Sequence, residues 1–414
     1  MSTQQLENHI TAVNQREEIV RALVSWDETA ARARAERACA DGPLAGWALG
    51  VKDIIDVRGL PTRCGTDFLP KTPVETTAQI VERLESLGAY VFSKVVSTQF
   101  AFFDPGPTTN PWNAGHTPGG SSQGSAAAVA AGIVRLALGT QTIASINRPA
   151  AYCGVVGFKP TFERMSHEGL FPFSSSVDTI GFFTANMVDM ETVCSAIFGR
   201  PEAAFSSSPR VGVVEDLYCE PADTEMLEAL QTVATKIQSA GYDVQPAKLP
   251  EVLEDSYENH LKLVRGEAAG AHRKLFERYG EHYSPNMRRL LKQGQALRWG
   301  DIDRARHRRI ELEEALNAFF EQFDVLMTPS APGAAPNGLR ATGDPRMSLI
   351  FTHTRVPCLT LPGALNKEGL PLGIQFAARK MNDAALVATC RELEPAIAFG
   401  GQPGNTQLTV RDPD

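Results

Sequence analysis

Residues 118–149 read PGGSSQGSAAAVAAGIVRLALGTQTIASINRP, a run of glycine, serine and alanine with scarcely a bulky side chain before Ile133. Its middle, Ala126 to Leu138, reads as a buried helix running into a strand, because an apolar stretch of such small residues suits a place where other elements come close. Each flank is a small-residue loop, one carrying Ser121 and the other Ser145. A soluble α/β core therefore has to be assembled around this segment.

Strand-like runs punctuated by glycine and proline alternate with amphipathic helices elsewhere. Residues 1–40 look helical; WALGVKDII, a helix around Thr76 to Leu87, and AYVFSKVV follow. The pattern returns at RVGVVE (210–215), a helix near 222–240, DVQPAKL, a helical stretch from about 252 to 320, and DVLMTPS (324–330). CLTLPGAL, GLPLGIQFAAR and a last helix after Asn382 close the chain. That alternation predicts an α/β sheet covered by helices on both faces. No linker or internal repeat divides the 414 residues, so the expectation is one large domain over 1–414, with 252–320 a helical insertion or cover.

Charge narrows the function classes. A formal charge of −8 argues against nucleic acid, whose phosphates reward a basic face. The basic run RARHRR (304–309) sits beside IELEE and reads as a solvated, salt-bridged helix face. Seven cysteines without a CxxC pair read as reduced thiols of a cytoplasmic protein, not as disulfides or a zinc site. No apolar leader and no run of bilayer length is visible, so neither a signal peptide nor a membrane partner is expected.

Three serine and nucleotide chemistries fail on spacing. A phosphate loop would need GKS or GKT where Gly124 is followed by Ser125 and Ala126. An SxxK pair is absent, since Ser145 is followed by Ile-Asn-Arg, and neither serine stands in GxSxG. A lone lysine, Lys52, follows the apolar run GWALGV. Burial behind such a strand would disfavour its cation and lower its pKa, leaving a neutral amine able to draw a proton through Ser121 from Ser145. The plainer alternative is that Lys52 pairs with Asp53 or Asp56 at a strand end.

The segments GVKDIIDVRGLPT, TTNPWNAGHTPGGSSQGSAAAVAAG, LALGTQTIASINRPAAYCGVVGFKP and GLPLGIQFAAR resemble the amidase signature family in order and content. The likeness covers nearly the whole chain and is nearest to malonamidase-like members, including TGDP at 342–345 and PCLTLP at 357–362. It implies a mixed β-sheet, Lys52 as base, Ser121 as a bridging serine on a cis peptide, and Ser145 as nucleophile. It also implies an oxyanion hole from the backbone N–H groups of Thr142, Ile143, Ala144 and Ser145, with Thr140 and Ser122 in support. Two departures stand out. Ile143 and Ala144 replace the usual Gly-Gly, so a β-branched residue would be strained there if the family's glycine has positive φ, and would narrow the pocket. Gln123 replaces serine or glycine, with a local effect.

The resemblance further makes Arg148 a binder of a substrate carboxylate, a task suited to a guanidinium; the alternative is that it ties a loop to a nearby acid. Asn147, His353 and Arg355 are expected to add polar contacts in the pocket, and Phe102, Phe103 and the 252–320 helices to wall it. His116 is expected to stabilise its loop. No metal and no cofactor are implied. The expected activity is hydrolysis of the C–N bond of a small carboxamide or ureido compound through a Ser145 acyl-enzyme. An A-type component of a glutamine-dependent amidotransferase and a catalytically impaired binding protein are the alternatives. The expected partner is the small amide substrate, and a homodimer is the one self-assembly entertained.

Overall fold

The computed structural model describes residues 3–199, 205 and 208–403; the extremes of the expected 1–414 domain lie outside them. Ten strands among the described residues form one mixed sheet. They are β1 (Ala48–Lys52), β2 (Tyr90–Val95), β3 (Leu136–Gln141), β4 (Val156–Lys159), β5 (Thr179–Thr184), β6 (Arg210–Val214), β7 (Asp243–Ala247), β8 (Val325–Pro329), β9 (Cys358–Leu365) and β10 (Pro371–Ala377). Their order across the sheet is β2-β1-β3-β5-β4-β9-β10-β8-β6-β7. β1 runs parallel to β2 and β3, β6 runs parallel to β7 and β8, and antiparallel pairings join these two ends.

Side chains leave a strand on alternate faces, and here both faces are apolar. On β3, Leu136 and Leu138 join one buried cluster while Ala137 joins another; Phe182 and Phe183 of β5 divide the same way. On β8, Val325 and Met327 face that first cluster and Leu326 a third. Every residue of β1, β3, β5 and β10 is buried, as in a sheet covered on both sides. β7 lies at the edge, where Pro246 costs no ladder hydrogen bond.

The small-residue segment folds as its composition demands. Gln123–Ala130 is a helix, buried from Gln123 through Val129, that packs on β3 and β1. A Cβ on Gly124 would lie 2.3 Å from the Val96 nitrogen and 2.5 Å from the Ala22 oxygen, so only glycine lets the chain pass there.

The 252–320 stretch is not one helix but several: a short 3₁₀ turn at Glu251–Asp255, then Ser256–Ala271, Arg273–Tyr279, Pro285–Gln295 and Trp299–Phe319. Pro285 opens its helix behind Ser284, whose hydroxyl accepts from the Met287 N–H. The basic run is salt-bridged, through Arg306–Glu267, Arg308–Asp255, Arg308–Glu311 and Arg309–Glu313, although Arg309 is buried rather than solvated. Ser256–Ala271 packs against Arg346–His353, the helix that precedes β9. No helix of the described residues is long and apolar enough to cross a membrane.

Candidate active site

Val51 of β1 pairs with Leu138 of β3 in parallel register, which brings Lys52 and Thr140 together at the carboxyl ends of neighbouring strands. Ser121 and Ser122 enter from the loop before the Gln123–Ala130 helix, and the Gly120–Ser121 peptide is cis. Lys52 Nζ lies 2.8 Å from Ser121 Oγ, 3.0 Å from Ser122 Oγ and 2.8 Å from Thr140 Oγ1. Ser122 Oγ donates to the Thr140 carbonyl at 3.1 Å and accepts the Thr140 N–H at 3.2 Å, so its own proton is committed. Gly139 makes room for this: a Cβ there would sit 2.8 Å from Ser122 Oγ and 2.5 Å from the Phe183 ring.

Lys52 is fully buried, and that burial holds its amine well below the ordinary lysine range; Asp178 and Cys64 pull weakly the other way. A neutral amine has two N–H donors and one lone pair. Its two N–H groups suit Ser122 Oγ and Thr140 Oγ1, and its lone pair suits the Ser121 hydroxyl proton. The alternative pairing with Asp53 is absent. Asp53 instead faces Lys94 at 3.6 Å and accepts the Arg63 and Gly65 N–H groups.

Beyond β3 the chain turns through Thr142–Ile146 into a helix, Asn147–Cys153, and this turn is held from several sides. Gln141 Oε1 accepts the N–H groups of Ile146 at 2.7 Å and Asn147 at 3.0 Å, which satisfies orphan donors of the helix start. Thr142 Oγ1 donates to Asp178 Oδ1 at 2.6 Å. Asp178 Oδ2 accepts the Phe173 and Ser174 N–H groups at 2.8 Å each. Burial raises the Asp178 carboxyl to about 6, against the pull of those hydrogen bonds. Thr352 Oγ1 donates to the Ile143 carbonyl at 2.7 Å. The N–H groups of Thr142, Ile143, Ala144 and Ser145 have no acceptor among the described residues. Neither Ile143 nor Ala144 has positive φ, so the strain expected of a β-branched residue at 143 does not arise.

A small pocket opens on this turn. Thr142, Ile143, Ala144, Ser145 and Arg148 line it, together with Ala101, Phe102, Phe103, Phe173 and Pro345. Ile143 thus narrows the pocket, and Phe102 and Phe103 wall it as expected. The 252–320 helices contribute no lining residue.

Arg148 is buried and holds two loops together. Its Nη1 donates to the Gly343 carbonyl at 2.6 Å, and its Nη2 to the Gly120 carbonyl at 2.8 Å and Thr342 Oγ1 at 3.1 Å. Nε has no acceptor among the described residues, and burial lowers the guanidinium to about 10.

Asn147 is not a pocket residue. It is fully buried, accepts from Gln141 Nε2 at 2.8 Å and donates to Thr360 Oγ1 at 3.0 Å, so its amide is committed inside the fold. His353 likewise meets His260, and Arg355 donates to the Ser176 carbonyl and lies over the Phe162 ring; both are away from the pocket. His116 holds its loop through the Ala335 carbonyl, and Gln123 accepts only the Gly106 N–H. Sequence reasoning missed Gln141, Asp178, Thr352 and Phe173; Gln141 lies within a motif that carries the family resemblance and Thr352 just before another, but nothing local marks their partners.

A family model described as Amidase matches residues 2–387. The A component of the glutamyl-tRNA(Gln) amidotransferase of Lachnospira eligens is 31% identical over 91% of this chain and 90% of its own length. Its counterpart from Prochlorococcus marinus (strain MIT 9313) is 31% identical over 89% of each chain. Among solved structures, an amidase 32% identical to this chain superposes with a TM-score of 0.86 over 94% of this chain and 95% of that one. The peptide amidase of Stenotrophomonas maltophilia, 24% identical, shares the fold with a TM-score of 0.82 over 97% and 95%.

Proposed function

The chain belongs to the amidase family, and from that premise we propose that it hydrolyses small carboxamides through a Ser145 acyl-enzyme, with Lys52 as base and Ser121 as relay. The observation that carries the reading is the buried Lys52 amine, whose partners among the described residues are the hydroxyls of Ser121, Ser122 and Thr140, in a fold where Ser145 lines a pocket. Ser145 Oγ bonds to the amide carbon as its proton passes to Ser121 Oγ and the Ser121 proton passes to Lys52 Nζ. Negative charge then gathers on the carbonyl oxygen, which the acceptor-free N–H groups of Ile143, Ala144 and Ser145 are suited to receive. The C–N bond breaks as the proton returns along the same path to the leaving nitrogen, releasing ammonia or an amine. Water, deprotonated by the same relay, cleaves the ester and restores Ser145.

Arg148 supports an acidic substrate. A buried guanidinium with no carboxylate at ion-pair distance among the described residues is costly, and its free Nε–H can take a substrate oxygen. A second reading is favoured by the two amidotransferase relatives: the same half-reaction would release ammonia from glutamine for a partner. Glutamine also brings an ammonium, and no Asp or Glu lines the pocket to receive it.

Ammonia release across malonamate and other acid-amides, neutral amides, ureido acids and glutamine separates these readings, with Ser145→Ala as control. Activity confined to acidic amides, with KM raised selectively by Arg148→Ala, supports the first. Glutaminase activity that rises with a copurifying partner supports the second. Silence throughout, with Ser145 unlabelled by a phosphonate, would leave a binding protein of the same fold.

A further inference from the structure

Behind the nucleophile turn lies a buried histidine pair whose proton positions follow from one amide. Asn259 Nδ2 donates to the Ala305 carbonyl at 2.9 Å and meets His353 Nε2 at 3.1 Å. An amide N–H only donates, so His353 Nε2 is the acceptor, and the neutral ring carries its proton on Nδ1. His353 Nδ1 lies 3.2 Å from His260 Nδ1 and donates to it, which leaves the His260 proton on Nε2. Burial keeps both rings neutral, holding His260 down at about 4 and His353 well below the ordinary histidine range. His260 Nε2 has no hydrogen-bond acceptor among the described residues, and the backbone carbonyl that faces its ring is that of Thr142.

The Thr142 carbonyl and the Ile143 N–H belong to one peptide group. The Ile143 carbonyl, which accepts from Thr352 Oγ1 at 2.7 Å, shares its peptide with the Ala144 N–H. We infer that Thr352 is a positioning residue for the oxyanion donors, fixing from behind the peptide whose Ala144 N–H is aimed at the developing charge, and that the neutral His260 ring backs the preceding peptide at the Thr142 carbonyl. A hydrogen bond to a peptide carbonyl holds the peptide plane and polarises the N–H on its other side. The His260 N–H is oriented in turn by His353 and Asn259, so the cover helix Ser256–Ala271 contributes to the turn without lining the pocket. This rests on the reading of Ser145 as nucleophile.

The test is the rate at which a serine-directed fluorophosphonate labels Ser145, since its phosphoryl oxygen gains charge as substrate oxygen would. His260→Ala and Thr352→Val are expected to lower the maximal labelling rate about tenfold, short of the ~10²–10³ lost when an oxyanion donor itself is removed. The concentration for half-maximal rate should stay unchanged, and His260→Gln and Thr352→Ser, which restore a donor, should recover most of the rate. If folded His260→Ala and Thr352→Val label as fast as wild type, the inference is overturned while the nucleophile stands. Failure of the wild-type protein to label at all overturns Ser145 as nucleophile and this inference with it. Should His260→Ala not fold, Thr352→Val, which removes one hydroxyl and keeps the volume, decides alone.

Discussion

Two lysines are buried side by side at the ends of neighbouring strands, Lys52 on β1 and Lys94 on β2, and they have opposite surroundings. Lys94 Nζ donates to the Ile55 carbonyl at 2.6 Å and Thr62 Oγ1 at 3.1 Å, with the Asp53 carboxylate 3.6 Å away. Lys52 Nζ meets three hydroxyls and, among the described residues, no carbonyl or carboxylate. Burial lowers the pKa of both amines, so burial alone does not distinguish them. The partners do. Carbonyl and carboxylate oxygens only accept, and they call for an ammonium; hydroxyls both give and accept, and they serve an amine in either protonation state. Lys159 repeats the structural pattern on β4, donating to the Pro160 and Val356 carbonyls. What sets Lys52 apart from the other two is a set of neighbours able to exchange a proton with it.

The sharpest break of that comparison is chemical. Ser145→Ala should cut ammonia release by roughly 10⁴–10⁶-fold with the melting temperature unchanged. Lys52→Met should follow, at roughly 10²–10⁴-fold, with stability near wild type. A Lys52→Met protein within a few-fold of wild type would place the base elsewhere. Lys94→Met should do the reverse. It strands a buried Asp53 and should cost ~3–5 kcal/mol in denaturant unfolding, while kcat of the folded fraction stays near wild type. Equal loss of kcat in the two variants would abolish the distinction.

Most of the sheet was legible because its strands are short apolar runs with clear ends, yet β4 and β5 were missed. VGFK and TIGFFT are brief, and they belong at the centre only because β9 and β3 pair with them. At the site, the meeting of Lys52 with Ser121, Ser122 and Thr140 was legible through the motifs that carry the family resemblance. Asp178 was not: its role depends on Thr142, a bond formed across the fold. Asn147 shows the converse. Its amide chemistry was visible, but only packing reveals that Gln141 and Thr360 claim it. The stretch 252–320 was readable as helical, not as the source of a histidine facing the Thr142–Ile146 turn.

The smallest effect concerns the charge near Lys52 rather than its contacts. Turnover needs the neutral amine, so kcat/KM should rise with pH through the Lys52 pKa, on a limb well below the ordinary lysine range. Asp178 favours the ammonium and so raises that pKa; itself titrating at about 6, it carries this charge above that pH. Asp178→Asn removes the charge and can keep the geometry. With its amide turned, Oδ1 still accepts the Phe173 and Ser174 N–H groups while Nδ2 donates to Thr142 Oγ1. The expected outcome is an acid limb moved to lower pH with the high-pH plateau retained. A limb that stays in place, on an unchanged plateau, would mean that a group other than Lys52 governs it. Lys52 would then resemble Lys94, a buried cation held by its neighbours, and the contrast between the two would rest on hydrogen bonding alone.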